Sequence, residues 1–413
     1  QKTYILIILI LFSLSSSTEA STITSINVNR NDVFDSELKD HDFFIYRWGN
    51  AIHFKTRESV IRDELLYKTG DILDTLKIIE SERNLRSLEF MGDVTTSLTY
   101  NTDSTEIAID LTTSDQWTTV AGLTSEGSGG EYTYGVVLSE VNLLGWGKEV
   151  QAEYYTGNDR RGHYLYYNDP NFMRSHHYAF IDWENNGFIR FTSYGLRKPF
   201  YSLEDKQAYS INGYDSKGKI RYYYDGYELF RYDSDVSDYQ ATLTRSYGRD
   251  FKRNYSLSIN WRKEEYSLSQ NANKYRVLVP PDLIETRLNL NMLFGFYHYS
   301  TVKYLDNFGN TEDLTLGLWV EFSAGRSFDI LDGNILRNFG NATIKTSFRI
   351  SNNLFVSAET GISGRYINKD YEHMRYSQRL SLYLKNSHRM ISAFRILGRF
   401  YDRPDRFTVN YIG

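Results

Sequence analysis

From about Trp117 to the last residue, the chain repeats segments of roughly ten residues in which apolar and polar side chains alternate. One such segment sets Leu314, Leu316, Leu318, Val320 and Phe322 against Asp313, Thr315, Gly317, Trp319 and Glu321. A period of two places these sets on opposite faces of a β-strand. Residues 287–296, 343–350 and 379–385 repeat the pattern. Soluble sandwich strands average about 5–6 residues, whereas tilted membrane strands need about 9–11. The pattern predicts a membrane β-barrel.

Hydropathy averages are consistent with this prediction, although the mean hydropathy of -0.50 is that of a soluble chain. Lipid-facing and lumen-facing residues cancel in any average over a barrel strand. The mature part of the chain has no continuous apolar run of the length that a membrane-spanning helix needs, which excludes helical spans. The 35 Tyr and 24 Phe fit aromatic girdles at two bilayer interfaces, although a Tyr-rich sandwich would share them.

Charge and cysteine content exclude several classes of function. The net charge of -5 provides no basic face for nucleic acid. The absence of cysteine excludes disulfides, thiolate metal sites and cysteine nucleophiles.

The first 20 residues have the organisation of a secretory signal. A nine-residue apolar stretch, YILIILILF from Tyr4 to Phe12, follows Lys2 and precedes small polar residues up to Ala20. This stretch is too short to span a bilayer. We therefore predict a signal peptide over residues 1–20, with a buried first strand as the alternative.

Residues 21–115 have a different pattern, which predicts an α+β module with the order β-α-α-β-β. Thr56 is the expected N-cap of the first helix and Gly70 its C-cap, while Asp74 opens the second helix. Strands are expected at 23–28, 94–100 and 106–111. The second helix should bury Leu76, Ile79, Leu85 and Leu88, and Arg62 and Glu64 should lie on a solvated face.

Three runs in this module carry a resemblance to a known family. They are NAIHFKT at 50–56, VIRDELLYKTGD at 60–71 and ESERNLRSLEF at 80–90. Together they resemble a POTRA domain, in particular those that precede barrels of the BamA/TamA outer-membrane superfamily. The following Asp115-Gln116-Trp117 is similar to that family's junction with the barrel. The resemblance covers residues 50–117.

The resemblance implies a mostly β protein, with a single POTRA domain at 21–115 and an antiparallel transmembrane β-barrel from 116 to 413. Barrels of this superfamily are expected to have about sixteen strands, a terminal aromatic strand and an Arg-Gly-aromatic loop in the lumen. The sequence shows neither feature before Asn410-Tyr411-Ile412-Gly413, and it begins with Gln. We therefore expect a fragment cut at both ends, with an incomplete barrel truncated before its last strands.

Within the barrel the pattern predicts about a dozen wall strands, with short turns on one side and long loops on the other. Three separate strands are expected at 205–213, 219–232 and 236–247, and a long connection at 157–174. The charged residues Arg262, Glu321, Lys345, Arg349 and Glu359 should line the interior. They are expected to form ion pairs, with ion selectivity as the alternative role.

Catalytic and metal-binding patterns are poor. Ser128 lies between glycines, but no GxSxG elbow surrounds it, so a hairpin turn is the better interpretation. His176 and His177 are adjacent on a predicted strand and should point to opposite faces, which prevents joint chelation. Asp233, Asp235 and Asp238 could bind Ca²⁺, although a solvated loop is favoured. We predict no enzyme activity, no metal and no cofactor.

Two functional hypotheses remain open. In the first, the protein is an assembly or translocation device in the outer membrane, and its clients are unfolded outer-membrane or secreted polypeptides. A client would pair with the edge strand of the POTRA domain in the periplasm, which contains Val94, Thr96, Leu98 and Tyr100. A loosely paired barrel seam would include Thr118, Thr119, Gly122 and Thr124. A periplasmic or lipoprotein partner is a further expectation. In the second, the protein is a passive channel or a surface-anchored structural barrel.

Overall fold

The computed structural model describes residues 21–34, 44–128, 131–157, 161–225, 227–268, 270–303, 305, 311–367, 369–387 and 390–404. In chain order the elements are β1 (Thr22–Asn31), α1 (Phe44–Ile52), α2 (Glu58–Asp63), α3 (Thr75–Arg86), β2 (Met91–Tyr100), β3 (Glu106–Asp115), β4 (Thr119–Ser128), β5 (Glu131–Glu140), β6 (Glu149–Gly157), β7 (Arg161–Phe172), β8 (His177–Asn185), β9 (Ile189–Lys198), β10 (Gln207–Tyr224), β11 (Tyr227–Tyr247), β12 (Phe251–Leu268), β13 (Leu283–Lys303), β14 (Thr311–Phe328), β15 (Asn338–Ser351), β16 (Leu354–Ile367), β17 (Asp370–Ser387) and β18 (Met390–Asp402). The predicted signal at 1–20 and the predicted strand at 407–412 lie outside the described residues.

The N-terminal module, residues 21–115, is a three-stranded sheet covered by helices. The strand order is β1-β3-β2, with β1 parallel and β2 antiparallel to the central β3. Alternate residues of β3, among them Ile107, Ile109 and Leu111, are fully buried against the helices. Ile61 of α2 and Leu85 of α3 pack into the same core. The burial of these apolar side chains is what holds the helices to the sheet.

The first half of the module differs from the prediction. Helix α1 was not expected, and Gly49 within it packs so closely that a Cβ there would lie 3.0 Å from the ring of Phe34. Helix α2 ends at Asp63, so Gly70 does not cap it, although Gly70 has the positive φ of +93° that favours glycine. Thr56 is not the N-cap, because Arg57 holds that position and Thr56 is buried.

Helix α3 begins as predicted, with the Asp74 carboxylate accepting hydrogen bonds from the backbone N–H groups of Leu76 and Lys77. Its buried face was predicted correctly for Leu85, which is fully buried, and for Leu88, which packs against the core, but not for the other two positions. Leu76 and Ile79 are exposed, whereas Ile78, Glu80, Ser81 and Leu85 are buried. The cause is that the helix is covered on two sides, by the module's own sheet and by loops of the second sheet.

The second sheet is a 15-stranded antiparallel meander from β4 to β18, in which every strand pairs with its neighbours in sequence. Strands β4 and β18 are its two edges, and no pairing joins them within the described ranges. The number of strands exceeds the predicted dozen. No helix in the described part of the chain has the length and apolar character needed to cross a membrane.

Two regions of this sheet correct the prediction. The expected connection at 157–174 contains β7, and the three strands expected between 205 and 247 are the two long strands β10 and β11. Their hairpin turn lies next to Asp225, which has a φ of +50°, and not near Gly213 and Gly218, which remain inside β10. Two-residue connections join β4 to β5 at one end of the sheet and β15 to β16 at the other, so short connections do not mark one side.

The height of the sheet is uneven. Strands β4 to β9 contain 9 to 12 residues, whereas β10 to β13 contain 18 to 21. The ladder between β9 and β10 ends at Gly218, but β10 continues to Tyr224 and pairs with β11 alone. We call the end of the sheet that contacts the module the module end, and the opposite end the distal end. At the distal end, β10 and β11 therefore extend beyond β9.

The two faces of the sheet separate by chemistry as the alternation predicts. Cross-strand neighbours share a face, and the row Tyr255, Met292, Phe322, Ala342 and Ile362 is apolar. The polar face is the concave one, because its side chains reach across intervening strands. Arg287 of β13 lies 4.4 Å from the ring of Phe339 on β15, and Lys385 of β17 donates to the carbonyl of Lys303 at the end of β13.

Candidate functional site

Strand β2 lies at an edge of the module sheet, where the sequence placed the client-binding residues. Val94, Thr96 and Leu98 turn toward the helices, with Val94 only 4% exposed, so they contribute to the core. Tyr100 is 47% exposed. The other exposed positions of β2 are Thr95, Ser97 and Thr99. An incoming strand would therefore meet the backbone of β2 and this second set of side chains.

The beginning of β2 is already occupied. The Asp93 carboxylate accepts hydrogen bonds from Lys303 Nζ at 2.8 Å and from the Thr311 backbone N–H at 2.9 Å. Partial burial opposes ionisation of Asp93, but these two donors dominate and hold its pKa below the usual range. Arg86 Nη1 approaches the Val94 carbonyl at 3.4 Å. The accessible part of this edge therefore begins at Thr95.

The predicted seam residues lie at the start of the large sheet. Strand β4 hydrogen-bonds only to β5 among the described residues, over ten residue pairs from Thr119 to Ser128. Gly122 and Thr124 face the concave side, and Thr124 Oγ1 donates to Glu153 Oε1 of β6 at 3.1 Å. Thr118 precedes the strand and is buried, and its carbonyl already accepts from the Val141 N–H.

The segment that joins β3 to β4 is held in place by buried polar groups. Asp115, at the end of β3, accepts from the Thr56 backbone N–H at 2.6 Å and contacts His53 Nε2 at 3.0 Å. Both the His53 and the Asp115 side chains are nearly inaccessible to solvent. Gln116 donates from its amide to the carbonyl of Met91. The edge of the module and the edge of the large sheet are thus connected by a fixed segment.

The module is bound to the module end of the large sheet by side chains on α2 and α3. Arg86 of α3 forms a two-pronged ion pair with Asp313 of β14, with N–O distances of 2.8 and 3.0 Å. Arg174, in the turn between β7 and β8, forms a similar pair with Asp63 at 2.7 and 2.6 Å. The first pair is buried and the second is largely exposed. Two-pronged arginine–carboxylate pairs fix orientation as well as distance.

A buried carboxyl group lies between these two ion pairs. Glu64 is 7% exposed, contrary to the predicted solvated face, and accepts from Tyr201 Oη at 3.0 Å. Burial raises the pKa of Glu64, while the Tyr201 hydrogen bond and the nearby His176 act in the opposite direction. The His176 ring stacks on Tyr201 at 3.8 Å, and His176 Nε2 contacts the Asp63 carbonyl at 2.7 Å.

The turn between β5 and β6 forms the third contact with the module. Asn142 Nδ2 donates to Thr56 Oγ1 at 2.9 Å, and the Arg57 N–H donates to the Gly145 carbonyl at 2.9 Å. Arg57 also lies over the Trp146 ring at 3.9 Å. Gly145 has a φ of +75°, and a Cβ there would lie 2.3 Å from the Lys55 carbonyl oxygen. Only glycine permits this approach of the two backbones.

These contacts show that the large sheet is curved. They reach from the turn after β5 to the beginning of β14, which are nine strand spacings apart in the sheet, or about 43 Å along a flat sheet. A module of this size has a radius of gyration of only about 13 Å. One small module can touch all these strands only if the sheet wraps around, with its polar face inward. The module therefore lies across the opening at the module end.

Within the described residues, two of the five predicted interior charges, Arg262 and Glu359, form the expected ion pairs. Arg262 pairs with Asp238 at 2.7 Å and with Glu264 at 2.5 Å, and Glu359 pairs with Arg379 at 3.4 Å. Arg349 donates to Ser300 and Asn352, and Lys345 lies 5.8 Å from the Trp319 ring. These residues, together with Glu321, point to the concave face because they alternate with the apolar set.

The residues considered for metal binding do not converge. Asp235 is neutralised by Lys217 on the outer face, whereas Asp238 faces inward, and both belong to β11 and not to a loop. His176 lies in a turn and His177 contacts Tyr209, so the two imidazoles have separate partners. No group of three or more potential metal ligands occurs among the residues that the structure describes.

Comparison with known proteins gives distant structural similarity. No family model and no curated protein matches the chain. BamA from Haemophilus ducreyi lacking POTRA domains 1–3 aligns at 12% identity and a TM-score of 0.34, over 92% of this chain and 85% of that one. CdiB from Acinetobacter baumannii aligns at 10% and 0.35, and CdiB from Escherichia coli at 11% and 0.41. These alignments cover 92% of this chain and 74% and 77% of those chains, respectively.

Proposed function

We propose that this protein is an outer-membrane β-barrel protein whose N-terminal module is a periplasmic POTRA domain, and that it assists the insertion or translocation of unfolded polypeptides. The single observation that carries the proposal is that a fixed segment connects the edge strand of the module sheet with the edge strand of the large sheet. Among the described residues, no strand pairs with the outer side of β2 from Thr95 onward. The chain leads from its partner β3 through a fixed segment into β4, which in the same part of the chain pairs on one side only.

The membrane location rests on the apolar face of the large sheet. Its outward side chains are large and exposed, with Leu257 at 51%, Phe322 at 49% and Ile396 at 52%. Contiguous exposed apolar surface of this extent marks contact with another apolar phase. A strand-built sheet with one apolar face and one polar concave face meets the requirement that the bilayer places on a spanning structure.

The client chemistry follows from backbone pairing. An edge strand offers unpaired N–H and C=O groups, which bind an extended segment with little demand on its sequence. Unfolded outer-membrane or secreted polypeptides provide such segments. From Thr95 to Thr99 the exposed side chains of β2 are the small polar residues Thr95, Ser97 and Thr99, which would not obstruct an added strand. A periplasmic or lipoprotein partner could bind the same module.

The experiment is insertion of an unfolded outer-membrane barrel into liposomes that contain the full-length protein. We expect faster insertion than into empty liposomes, and cross-linking of the client to a photoreactive residue placed at Ser97. The same residue placed at Asn29, exposed on the opposite edge strand β1, is the matched control. Equal insertion rates with and without the protein would reject the proposal.

A passive channel or structural barrel is the second candidate, and the position of the module favours it. The module contacts turns from β5 to β14 and so lies across one opening as a plug would. Stable single-channel conductance that is unaffected by deleting residues 21–113 would support a passive channel in which the module acts only as a tether. Conductance that rises when the module is released would instead support a plug.

A further inference from the structure

An open groove lies on the apolar face of the large sheet, toward the distal end of β13 to β17. Its volume is about 520 Å³. The floor is a row of residues with little or no side chain, because Ala324, Gly340 and Gly364 are direct cross-strand neighbours on three adjacent strands. A Cβ on Gly340 would meet no atom within 4 Å. Glycine inside a strand weakens it, and it often marks a position where a ligand approaches the backbone.

The walls of the groove are apolar side chains from four strands. Leu290 and Met292 stand on the β13 side, and Met374 of β17 lies over Gly364 on the other. The next row toward the module end closes the floor with Phe322 and Ile362. The groove is therefore bounded on three sides and open outward, on the face that meets the bilayer under the proposed function.

The distal rim has a different chemistry. Arg326 follows Ala324 on the same face of β14, and Asn338, its cross-strand neighbour, lines the groove. Arg326 is exposed and makes no ion pair with any residue that the structure describes. The same row continues through Tyr366 and Tyr371. Tyrosines are enriched where a membrane protein crosses from hydrocarbon to headgroups, so this row marks the headgroup depth.

We propose that the groove binds one acyl chain of a membrane lipid with an anionic headgroup, and that Arg326 holds the phosphate of that headgroup. The inference rests on the proposed membrane location of the apolar face. A depression on a lipid-facing surface is filled by lipid, because an empty one forfeits dispersion contacts on all its walls. A volume of this size lies within the range of about 300–1,000 Å³ typical of small-molecule sites.

The charge at the rim selects the headgroup. A guanidinium without an ion-pair partner among the described residues, beside an apolar slot, is complementary to a phosphate attached to an acyl chain. Guanidinium binds phosphate through two parallel hydrogen bonds. The chain enters between Leu290 and Met374 while the headgroup stays at the level of Tyr366. A second protein strand would be a poorer occupant, because the backbone of Gly340 is already paired on both sides.

The test uses the full-length protein in bilayers of zwitterionic lipid that contain a small fraction of phosphatidylglycerol with a diazirine near the middle of one acyl chain. After illumination we expect label concentrated on residues 322–342 and 362–374. Gly340→Leu, which fills the floor, should remove this label. Gly398→Leu is the matched control, because Gly398 lies on the same face of β18, has open space around it and does not line the groove.

The headgroup is tested with Arg326→Gln. We expect this variant to lose about fivefold of the preference for phosphatidylglycerol over a phosphatidylcholine probe, the effect of one basic residue near a membrane surface. Arg231→Gln, which removes an exposed arginine already paired with Glu228, should leave the preference unchanged. Unlabelled phosphatidylglycerol should displace the wild-type label, which tests the site even if Gly340→Leu does not fold.

Label spread evenly around the apolar face of wild-type protein that resists carbonate extraction would overturn the groove inference alone. Cross-links between two copies of the chain at this groove in place of lipid label would also overturn it. Release of the protein from membranes by carbonate would instead reject the proposed membrane location. The two failures are therefore distinguishable.

Discussion

Arg86 and Asp313, 227 residues apart in the chain, form a two-pronged ion pair that joins α3 of the module to β14 of the large sheet. Their side chains are 6% and 13% exposed. The same geometry recurs between Arg174 and Asp63, but there the arginine is 68% exposed. The two pairs differ in burial, and Arg86 also contacts Glu82 and the Val94 carbonyl at 3.4 Å, so the comparison shows how strongly each arginine holds the module.

Arg86→Ala should weaken the docking of the module much more than Arg174→Ala. Removing Arg86 leaves the Asp313 carboxylate buried without its partner, a loss of about 3 kcal/mol. Removing Arg174 breaks a solvent-screened pair and should have little effect. Hydrogen exchange of the α3 amides in the full-length protein measures both variants. Equal loss of protection would contradict the importance given to burial.

The pH dependence of docking should follow Glu64. Burial raises the pKa of Glu64 above its ordinary value of 4.5. The contribution of Glu64 to the stability of the junction is therefore fully present below pH 4.5, where its carboxyl group is protonated. This contribution is lost as the pH rises through the higher pKa that Glu64 has in the docked state. Acidification from pH 7 toward 4.5 should strengthen docking, as read from the emission of Trp146 at the junction.

Glu64→Gln should flatten this pH profile, because the amide imitates the neutral acid at every pH. Tyr201→Phe should move the midpoint of the profile upward, since it removes the hydrogen bond that favours the ionised form. The pKa of Asp93 is shifted downward, so its contribution is lost only as the pH falls below 3.8. A profile unchanged in Glu64→Gln would exclude Glu64 as its source.

Asp115→Ala should destabilise the module by about 2–4 kcal/mol, because the buried Thr56 N–H and His53 both lose their partner. Asp110→Ala is the control on the same strand, where the carboxylate only accepts a hydrogen bond from Asn27 at an exposed site. Denaturant unfolding followed by exchange at the β3 amides measures both. A smaller effect at Asp115 than at Asp110 would be inconsistent with the structure.

The assignment of the two faces predicts opposite responses to charge. Leu318→Arg puts a guanidinium on the apolar face and should lower the free energy of folding into a bilayer by about 2–4 kcal/mol. Ser323→Arg puts the same group on the polar concave face of β14 and should be tolerated. Folding into liposomes, followed by gel mobility without heating, reports both. Tolerance of both substitutions would argue against a lipid-facing surface.

The sequence predicted the faces of the strands better than their boundaries. Alternation of apolar and polar residues, as in 313–322, depends on the surroundings of each face and survives into the structure. The expected strands at 205–213 and 219–232 are separated at 214–218, whereas β10 continues through Gly213 and Gly218. In the sheet these glycines leave room for neighbouring side chains, such as the Tyr194 ring beside Gly213.

The junction was the least predictable part. Glu64 has the local pattern of a solvated helix residue, and only contact with Tyr201, 137 residues later, buries it. Glu80 is likewise buried because it accepts from the Leu203 N–H of the same loop. Helix α1 contains Gly49, which disfavours helix locally but is needed where the helix meets Phe34 and Trp117. Such long-range contacts produce no periodic pattern of apolar and polar residues, so they cannot be predicted from the sequence.

The additional length of β10 and β11 at the distal end gives the protein a sidedness that its repeating hairpins would not otherwise have. If the low strands fill the thickness of the bilayer, the hairpin of β10 and β11 stands above it as a screen around part of the rim. Strand β4, six strands away from β10 in the sheet, lies outside the part of the rim that this hairpin screens. Because of this uneven height, the β4 edge is less screened at the distal end than the middle of the sheet is.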